Sequence, residues 1–335
     1  MRREVRSIVA IDAALKRVSV EDNARRFALF GLDGNLPWHR EESKAAKLHI
    51  GGGEVLQVPF GAFDLPFDTR GLRVRIRDVE VPVLDGQVSI ADFASSGEGD
   101  SWRWRFTGAI KPISVEQLTT ALGLPAMHGT LSATIPTVRY HQSTLNVDGT
   151  LLFKLFDGTI SVQDLALENP LSKVPRLTAD VAMRNLDLDL LTRTFSFGKI
   201  TGRIDAEMKS LELVNWGPVR FDARVASSAG EYPRRISQAA VQNISALGGV
   251  GAAAAIQRSF LRFFETFGYS ALGWSCRLEL DVCHMGGIEN TPQGYVIVKG
   301  GGLPAITVMG YNRNVGWREL LARLKRVTEG NVIVK

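Results

Sequence analysis

The sequence predicts a mostly β protein with a few helices, and three observations lead to that class. Up to about residue 230, apolar and polar residues alternate in short runs, as they do along a strand with one buried face. Glycine-containing turn signals separate these runs, which predicts an antiparallel meander. After residue 230, apolar residues recur at helical spacing. We therefore expect two domains, one over 1–230 built of antiparallel strands and one over 231–335 with helices and β-hairpins.

The clearest strand is "KITGRIDAEMK" (199–209). Ile200, Ile204 and Met208 share one face with two small residues, while the other face carries only polar or charged side chains. Successive side chains of a strand point to opposite sides, so this segment has one dry and one wet face. Similar alternation marks the segments 72–77, 102–106, 185–191 and 219–225.

Turn signals stand between these runs: "LDGQ" (84–87), "VDGT" (147–150), "FDGT" (156–159) and "NWGP" (215–218). An Asp-Gly pair suits a two-residue hairpin loop, because both central positions need a positive φ. One short helix interrupts the meander at 114–123, with Ser114 as its cap and Gly123 at its end. A loose internal similarity between "GTLSATIPTV" (129–138) and "GKITGRIDAE" (198–207) suggests stacked hairpin units.

Three helices are predicted beyond residue 230, at 232–249, 251–268 and 316–327. The second carries an apolar stripe that is expected to be buried. Its members recur at helical spacing and are Ile256, Phe260, Phe263, Phe264 and Phe267. Strands are expected between the second and third helices.

Charge and hydropathy narrow the functional classes. The chain has 335 residues and a net charge of +5, with basic and acidic residues interspersed. That distribution is not the basic stripe of a nucleic-acid-binding protein, so we expect no nucleic-acid partner. No run reaches the 18 or so apolar residues of a membrane-spanning helix, and the N-terminus is a poor secretory signal.

The only two cysteines lie in "CRLELDVC" (276–283). The six residues between them allow a hairpin in which Cys276 and Cys283 face each other at about 4.5–5.5 Å between Cα atoms, within disulfide reach. We favour a disulfide, which implies an oxidising compartment. The alternatives are two buried reduced thiols, or a metal site that includes the adjacent His284.

No catalytic, cofactor or metal constellation is predicted, so we expect a protein that is not an enzyme. The five histidines are scattered, and "LDLDL" (186–190) places its two carboxylates opposite leucines, as on a solvated strand edge. The glycines at 300–302 lack the lysine of a phosphate loop and precede Pro304, so a bulge or tight turn is favoured there.

The dry strand faces must be covered by something. In a β-sandwich, two such sheets bury each other. Alternation alone does not distinguish a sandwich from a curved sheet whose concave face holds another apolar substance.

Four segments resemble a known family: "GEYPRRISQAAVQNIS" (230–245), "RSFLRFFETFGY" (258–269), "LGWSCRLELDVCHMGGIE" (272–289) and "GYVIVKGGGLPAITVMGYN" (294–312). They are similar to the C-terminal region of the YdbH-type proteins, envelope proteins of Gram-negative bacteria within the AsmA-like group. A looser similarity to the repeated strand units of that group covers "FGKITGRIDAEMKSLELVNWGPVRFDARV" (197–225).

The resemblance implies a long, twisted antiparallel sheet folded into an open groove that carries phospholipid acyl chains across the periplasm, between the inner and outer membranes. It also implies a small outer-membrane lipoprotein as partner, docked by β-strand addition at an exposed sheet edge. Family members are longer and begin with an inner-membrane helix, so this chain is expected to be a C-terminal portion whose anchor lies elsewhere. The disulfide fits the periplasm.

The dry strand faces are the candidate lining of such a groove. They comprise Leu151, Phe153, Leu155, Leu186, Leu188, Leu190, Ile200, Ile204, Met208, Phe221 and Val225. The helices at 232–268 are expected to close the groove end through the phenylalanine stripe. The rival hypothesis is a non-enzymatic envelope assembly or docking module with a closed β core.

Overall fold

A computed structural model describes residues 8–23, 26–123, 129–170, 172–248 and 263–328. It confirms the predicted class, since most of these residues lie in antiparallel strands and two of the four helices lie near the C-terminal end. The chain forms two compact units, one of residues 1–153 and 166–170, the other of residues 154–165 and 171–335. The boundary expected near residue 230 falls inside the second unit.

The described residues of the first unit contain one α-helix, α1 (Val115–Ala121), a 3-10 turn (Gly99–Ser101) and twelve strands. The strands are β1 Ala10–Glu21, β2 Phe27–His39, β3 Lys44–Ile50, β4 Gly52–Val55, β5 Val58–Phe60, β6 Phe63–Arg70, β7 Arg73–Ile76, β8 Val79–Val83, β9 Gly86–Ser96, β10 Arg103–Ser114, β11 Thr130–His141 and β12 Thr144–Asp148. Two further strands, β13 Leu151–Leu155 and β14 Gly158–Glu168, are divided between the units.

The strands of the first unit pair antiparallel throughout. β1 pairs with β2, and β2 pairs with both β3 and β4. From there the sheet follows two routes to β9. β3 pairs with β6, β6 with β7 and β7 with β9, while β4 pairs with β5, β5 with β8 and β8 with β9. It continues through β10 and β11 to β12, which pairs with the last residues of β14. The meander predicted from the alternation is confirmed.

The second unit adds the helices α2 (Leu188–Thr194), α3 (Gln238–Gly248) and α4 (Trp317–Thr328). Its strands are β15 Arg176–Asp187, β16 Ile200–Thr201, β17 Arg203–Val214, β18 Gly217–Ser227, β19 Arg235–Ser237, β20 Thr266–Glu279, β21 Val282–Gly287, β22 Glu289–Thr291, β23 Gly294–Gly300, β24 Val308–Gly310 and β25 Asn314–Gly316.

Strand β20 belongs to two sheets of the second unit. Its first half pairs with β19 and β23, which continue to β16, β22 and β24. Its second half pairs with β18 and β21, which continue to β17, β15 and β25. The side chains of Phe267, Tyr295 and Val298 are fully buried here, so this part of the unit has a closely packed core.

One strand-helix-strand unit occurs twice. The 12-residue strands β10 and β15 each run directly into a seven-residue helix, capped by Ser114 and Asp187, which are 73 positions apart. In both copies the first helical amide donates to a glycine carbonyl at 3.0 Å, that of Gly129 or Gly202, and these glycines have φ values of +140° and +139°. The internal similarity is therefore real, but the predicted alignment of residue 129 with residue 198 is wrong by four positions.

Two of the three Asp-Gly turn signals mark hairpins, although not with the predicted loop residues, whereas the turn predicted at 147–150 is wrong because β12 and β13 on either side of it both pair with β11. The loops are 84–85 and 156–157, and Gly86 and Gly158 are the first residues of the following strands. A Cβ at Gly86 would lie 2.3 Å from a carbonyl oxygen of β10, and one at Gly158 would lie 2.6 Å from a carbonyl oxygen of β15. Each glycine is therefore required by the close approach of a neighbouring strand.

Part of the strand predicted at 185–191 is wrong. β15 ends at Asp187, whose carboxylate accepts hydrogen bonds from the amides of Asp189 and Leu190 at 2.9 and 3.0 Å. This N-cap starts α2, so Leu188 and Leu190 lie on a helix and not on a strand face.

Tertiary pairing also shortens the helix predicted at 232–249. The strand β19 occupies part of the predicted helix, and α3 starts only at Gln238. The hydroxyl of Ser237, just before it, accepts a hydrogen bond from the Ala240 amide at 3.2 Å. Ile236 is held in extended conformation because it pairs with Ile200 on one side and Phe267 on the other.

The helix predicted at 251–268 is wrong at its end, because residues from Thr266 onward form β20. Residues 251–262 lie outside the described ranges. The helices predicted at 114–123 and 316–327 are confirmed as α1 and α4. Within the part of the chain that the structure describes, no helix has the length and apolar character needed to cross a membrane.

Candidate functional site

An apolar face of the first unit's sheet is the candidate site. Trp104 on β10 is paired with Ser95 on β9 and Tyr140 on β11, and Tyr140 is paired with Leu145 on β12. Paired residues of antiparallel strands project from the same face. The register therefore places Trp104 and Phe106 of β10, together with Trp102 just before the strand, beside Tyr140 on one side of the sheet.

Five rings on this face form the aromatic row, defined as Phe93, Trp102, Trp104, Phe106 and Tyr140. The ring centre of Trp104 lies 5.4 Å from that of Tyr140, 5.8 Å from that of Phe106 and 6.3 Å from that of Phe93, all in stacked orientations. Trp102 contacts Tyr140 edge-on at 5.6 Å. Such pairs stabilise each other beyond the area they bury, by about 0.5–1.5 kcal/mol.

The aromatic row is not sealed from solvent by its own unit. Trp102 is exposed, and the other four rings are half-buried. Within the described residues of the first unit, the only α-helix is α1, which packs against β10 and β5. The inner face of a β-sandwich is buried by the opposing sheet. This apolar face instead keeps surface that an apolar ligand can cover.

The opposite face of the same strands is charged. Arg103 and Arg105 alternate with the rings of β10, and Arg139 of β11 forms an ion pair with Asp148 of β12. On β3 and β6, the pKa of Asp64 is lowered by a hydrogen bond from Lys47 and, to a smaller extent, by one from His49. The sheet thus separates a solvated ionic face from an apolar one.

The eleven predicted lining residues divide into two groups. Five are buried, namely Leu186, Leu188, Ile200, Ile204 and Phe221. Six are half-buried, namely Leu151, Phe153, Leu155, Leu190, Met208 and Val225. The first group has no surface left for a ligand in this conformation.

Phe221 shows why the second unit differs from the first. Its ring meets that of Trp317 of α4 edge-on at 5.3 Å, in a core to which Met208 and Leu320 also contribute. The terminal helix therefore covers the face that β17 and β18 would offer. The expectation that Phe221 lines an open groove is wrong, because a helix far along the chain packs over it.

The described members of the predicted groove-end stripe do not share a helix face. Ile256 and Phe260 lie outside the described residues. Phe263 is 75% exposed and Phe264 is 39% exposed, whereas Phe267 is fully buried in β20, opposite Ile236. The predicted grouping of Phe267 with a helical stripe is therefore wrong.

Cys276 and Cys283 form the predicted disulfide, with 5.5 Å between their Cα atoms. They lie on neighbouring strands of the β20–β21 hairpin but not directly opposite each other, since Cys276 is paired with Met285 and Cys283 with Leu278. Both sulfur-bearing side chains are buried in the core beneath α4. The two-residue loop, Leu280 and Asp281, has positive φ at both positions, as a tight hairpin requires.

The alternation at 102–106 predicts a strand but not a cluster of stacked rings. The signal was present in "WRWRF" (102–106), where two tryptophans and a phenylalanine alternate with arginines. What it lacked was the partner rings, which come from β9 and β11, about ten and thirty-five residues away along the chain.

Comparison with known proteins identifies no relative of this chain, since no family model, no curated protein and no solved structure matches it.

Proposed function

We propose that this chain is a segment of a lipid-transfer protein, in which the apolar sheet face of the first unit shields phospholipid acyl chains from water. The observation that carries the proposal is the aromatic row, which lies on a continuous apolar face yet stays half-buried or exposed. Each methylene that leaves water for such a surface contributes about 0.8 kcal/mol. No catalytic chemistry is required for this activity.

The repeated strand-helix-strand unit supports the same function. The two copies are related by 73 positions, from Ser114 to Asp187, and each places a capped seven-residue helix at the end of a long strand. Repeated units that each contact their neighbours extend a sheet along the chain. A surface that carries a long apolar molecule needs length and uniform lining more than a specific pocket.

Photo-crosslinking tests the proposal at a single residue. p-Benzoylphenylalanine placed at position 104, in protein made in the periplasm of a Gram-negative host, should form phospholipid adducts on irradiation. The matched control is position 105, one residue away on the charged face, where Arg105 is exposed. Mass spectrometry of the intact protein measures the lipid adducts formed at each of the two positions.

A substitution pair gives the complementary measurement. Trp104→Asp should lower co-purified phospholipid at least about tenfold, because it buries a carboxylate among rings, whereas Arg105→Asp should leave it unchanged. Adducts at both positions, or a lipid-free protein with both variants alike and folded, would overturn the proposal and leave the docking module as the better account.

The proposal includes a location and partners. We place the protein in the periplasm, anchored at the inner membrane, because a disulfide persists in oxidising compartments and because the C-terminal segments resemble the YdbH-type proteins. A small outer-membrane lipoprotein is the proposed protein partner, adding a strand to a sheet edge. Among the strands described, β1 offers 12 residues paired with β2 alone, while β24 and β25 have three residues each.

An assembly or docking module is the second candidate, favoured by one observation. The core around Cys276, Leu278 and Phe221 is closed by α4, so this part of the second unit is built as a packed domain. A docking module predicts that function is lost through substitutions at strand edges and not through Trp104→Asp.

A further inference from the structure

A cavity of about 470 Å³ lies in the second unit, outside the apolar sheet face. Its walls come from three segments that are far apart in the sequence: 232–235, 268–270 and 301–303. The residues that decide its chemistry are Tyr232, Arg234, Arg235, Tyr269, Gly302 and Leu303. The cavity is a shallow depression that is open to solvent.

Arg234 has unused hydrogen-bonding capacity. One terminal nitrogen donates to the Gly230 carbonyl at 3.0 Å, and the guanidinium carbon lies 4.4 Å from the centre of the Tyr232 ring. The Nε atom is buried and has no hydrogen-bond partner among the described residues. A buried donor without a partner destabilises the structure, and more so when the group is charged.

The cavity has positive charge without a matching carboxylate. Arg235 follows Arg234 in the sequence, and its side chain donates to the Thr266 hydroxyl, from Nε at 3.0 Å and from Nη2 at 2.8 Å. Neither arginine forms an ion pair within the described ranges, and no lining residue is acidic. A guanidinium presents a planar fork of donors, so an arginine here favours an anion with several acceptor oxygens.

The two tyrosines form fixed walls. The Tyr269 hydroxyl donates to the Thr201 carbonyl at 2.7 Å, and the Tyr232 hydroxyl donates to the Ser228 carbonyl, with the Arg203 carbonyl at 3.2 Å. Burial raises the pKa of Tyr269, so its phenol stays uncharged at physiological pH. The arginines therefore do not have a phenolate as an internal counter-ion.

The third wall is open and apolar. Gly302 has a φ of +78°, and a Cβ there would meet nothing within 4 Å. Leu303, the next residue, is 92% exposed. An apolar side chain at the rim of a cationic cavity suits a ligand that joins an anionic group to an apolar chain.

We propose that this cavity binds the phosphate group of a phosphate ester, with Arg234 and Arg235 as the anion-binding residues and Leu303 beside the ester's apolar part. The inference does not rest on the lipid-transfer proposal. Phosphate binding can be present while the sheet face is empty, and absent while that face holds lipid.

Calorimetric titration of the full chain tests the site with three soluble probes: inorganic phosphate, glycerol 3-phosphate and monomeric dihexanoyl phosphatidic acid. We expect saturable binding of at least one probe at 0.15 M salt. Arg234→Gln should weaken it at least about tenfold, since it removes charge-assisted hydrogen bonds. The matched control is Arg224→Gln, which removes the same charge from an exposed position on β18 and should leave affinity within about twofold.

The probes distinguish the source of the phosphate. Preference for dihexanoyl phosphatidic acid identifies a lipid headgroup, and equal affinity for all three identifies a site for the phosphate alone. Absence of saturable binding overturns the proposal, and so does an equal loss in Arg224→Gln, which would show only general attraction to a basic protein.

A second pair of variants keeps the test valid if Arg234→Gln destabilises the fold. Leu303 is so exposed that its replacement leaves packing unchanged. Leu303→Glu places a carboxylate at the rim and should weaken anion binding several-fold, whereas Leu303→Gln has nearly the same shape without the charge. If Leu303→Glu and Leu303→Gln bind equally well, the anion does not occupy this cavity.

Discussion

The disulfide between the two cysteines lies within a hydrophobic core. Cys276 and Cys283 are fully buried, and Phe221, Leu278 and Trp317 surround them. The bond closes a loop with a sequence separation of 7, so it constrains the unfolded chain only locally. In the chain-entropy model a loop of this size contributes about 2–3 kcal/mol.

The double variant Cys276→Ala/Cys283→Ala should therefore lower the unfolding free energy by about 2–3 kcal/mol. Urea denaturation of the oxidised protein and the variant measures the difference. Wild-type protein treated with a reductant is the matched control and should unfold near the variant. A variant as stable as the oxidised protein would show that the bond contributes nothing to this core.

At the scale of elements, the two short helices depend on their caps. α1 and α2 have seven residues each, too short to be stable alone, and each begins at a capping side chain, Ser114 or Asp187. In both helices a buried threonine, Thr119 or Thr192, donates to the carbonyl four residues earlier at 2.8 Å. The same local chemistry therefore ends a long strand in both copies of the repeated unit.

Replacing the cap by Asp187→Ala should lower the unfolding free energy by about 1 kcal/mol, because the amides of Asp189 and Leu190 lose their acceptor. Asp187→Asn keeps an acceptor oxygen and should stay within a few tenths of a kcal/mol of wild type. Thermal denaturation of both variants gives the comparison. An equal loss in the two would point to the charge of Asp187 and not to capping.

At the scale of the whole molecule, the two units solve the problem of an apolar sheet face differently. In the second unit, α4 covers the face around Phe221. In the first unit, the aromatic row is left partly accessible among that unit's described residues. A lipid-transfer function needs the arrangement of the first unit, in which acyl chains supply the missing apolar contact.

Phospholipids with brominated acyl chains should quench the tryptophan fluorescence of the protein, because Trp102 and Trp104 lie on the proposed lipid-binding face. The double variant Trp102→Phe/Trp104→Phe should lose most of the quenching. Trp216→Phe removes a ring that is 61% exposed in a hairpin loop and should keep it. Equal quenching in the two variants would place the lipid away from the aromatic row.

The sequence by itself determined the local structure of this protein. Alternation with period two predicted the strands around 72–77, 102–106 and 203–209, because neighbouring side chains on a strand necessarily face opposite ways. The sequence also predicted the cap at Ser114 and the pairing of Cys276 with Cys283, since both depend on residues a few positions apart.

Tertiary structure alone decided which apolar faces are covered. Phe221 is buried because Trp317 packs on it, and Phe267 is extended because β19 pairs with it, although its spacing predicted a helix. The aromatic row joins three strands, and the cationic cavity joins segments from 232 to 303. Periodicity records which side of an element is apolar. What meets that side depends on contacts between distant residues, which no local pattern contains.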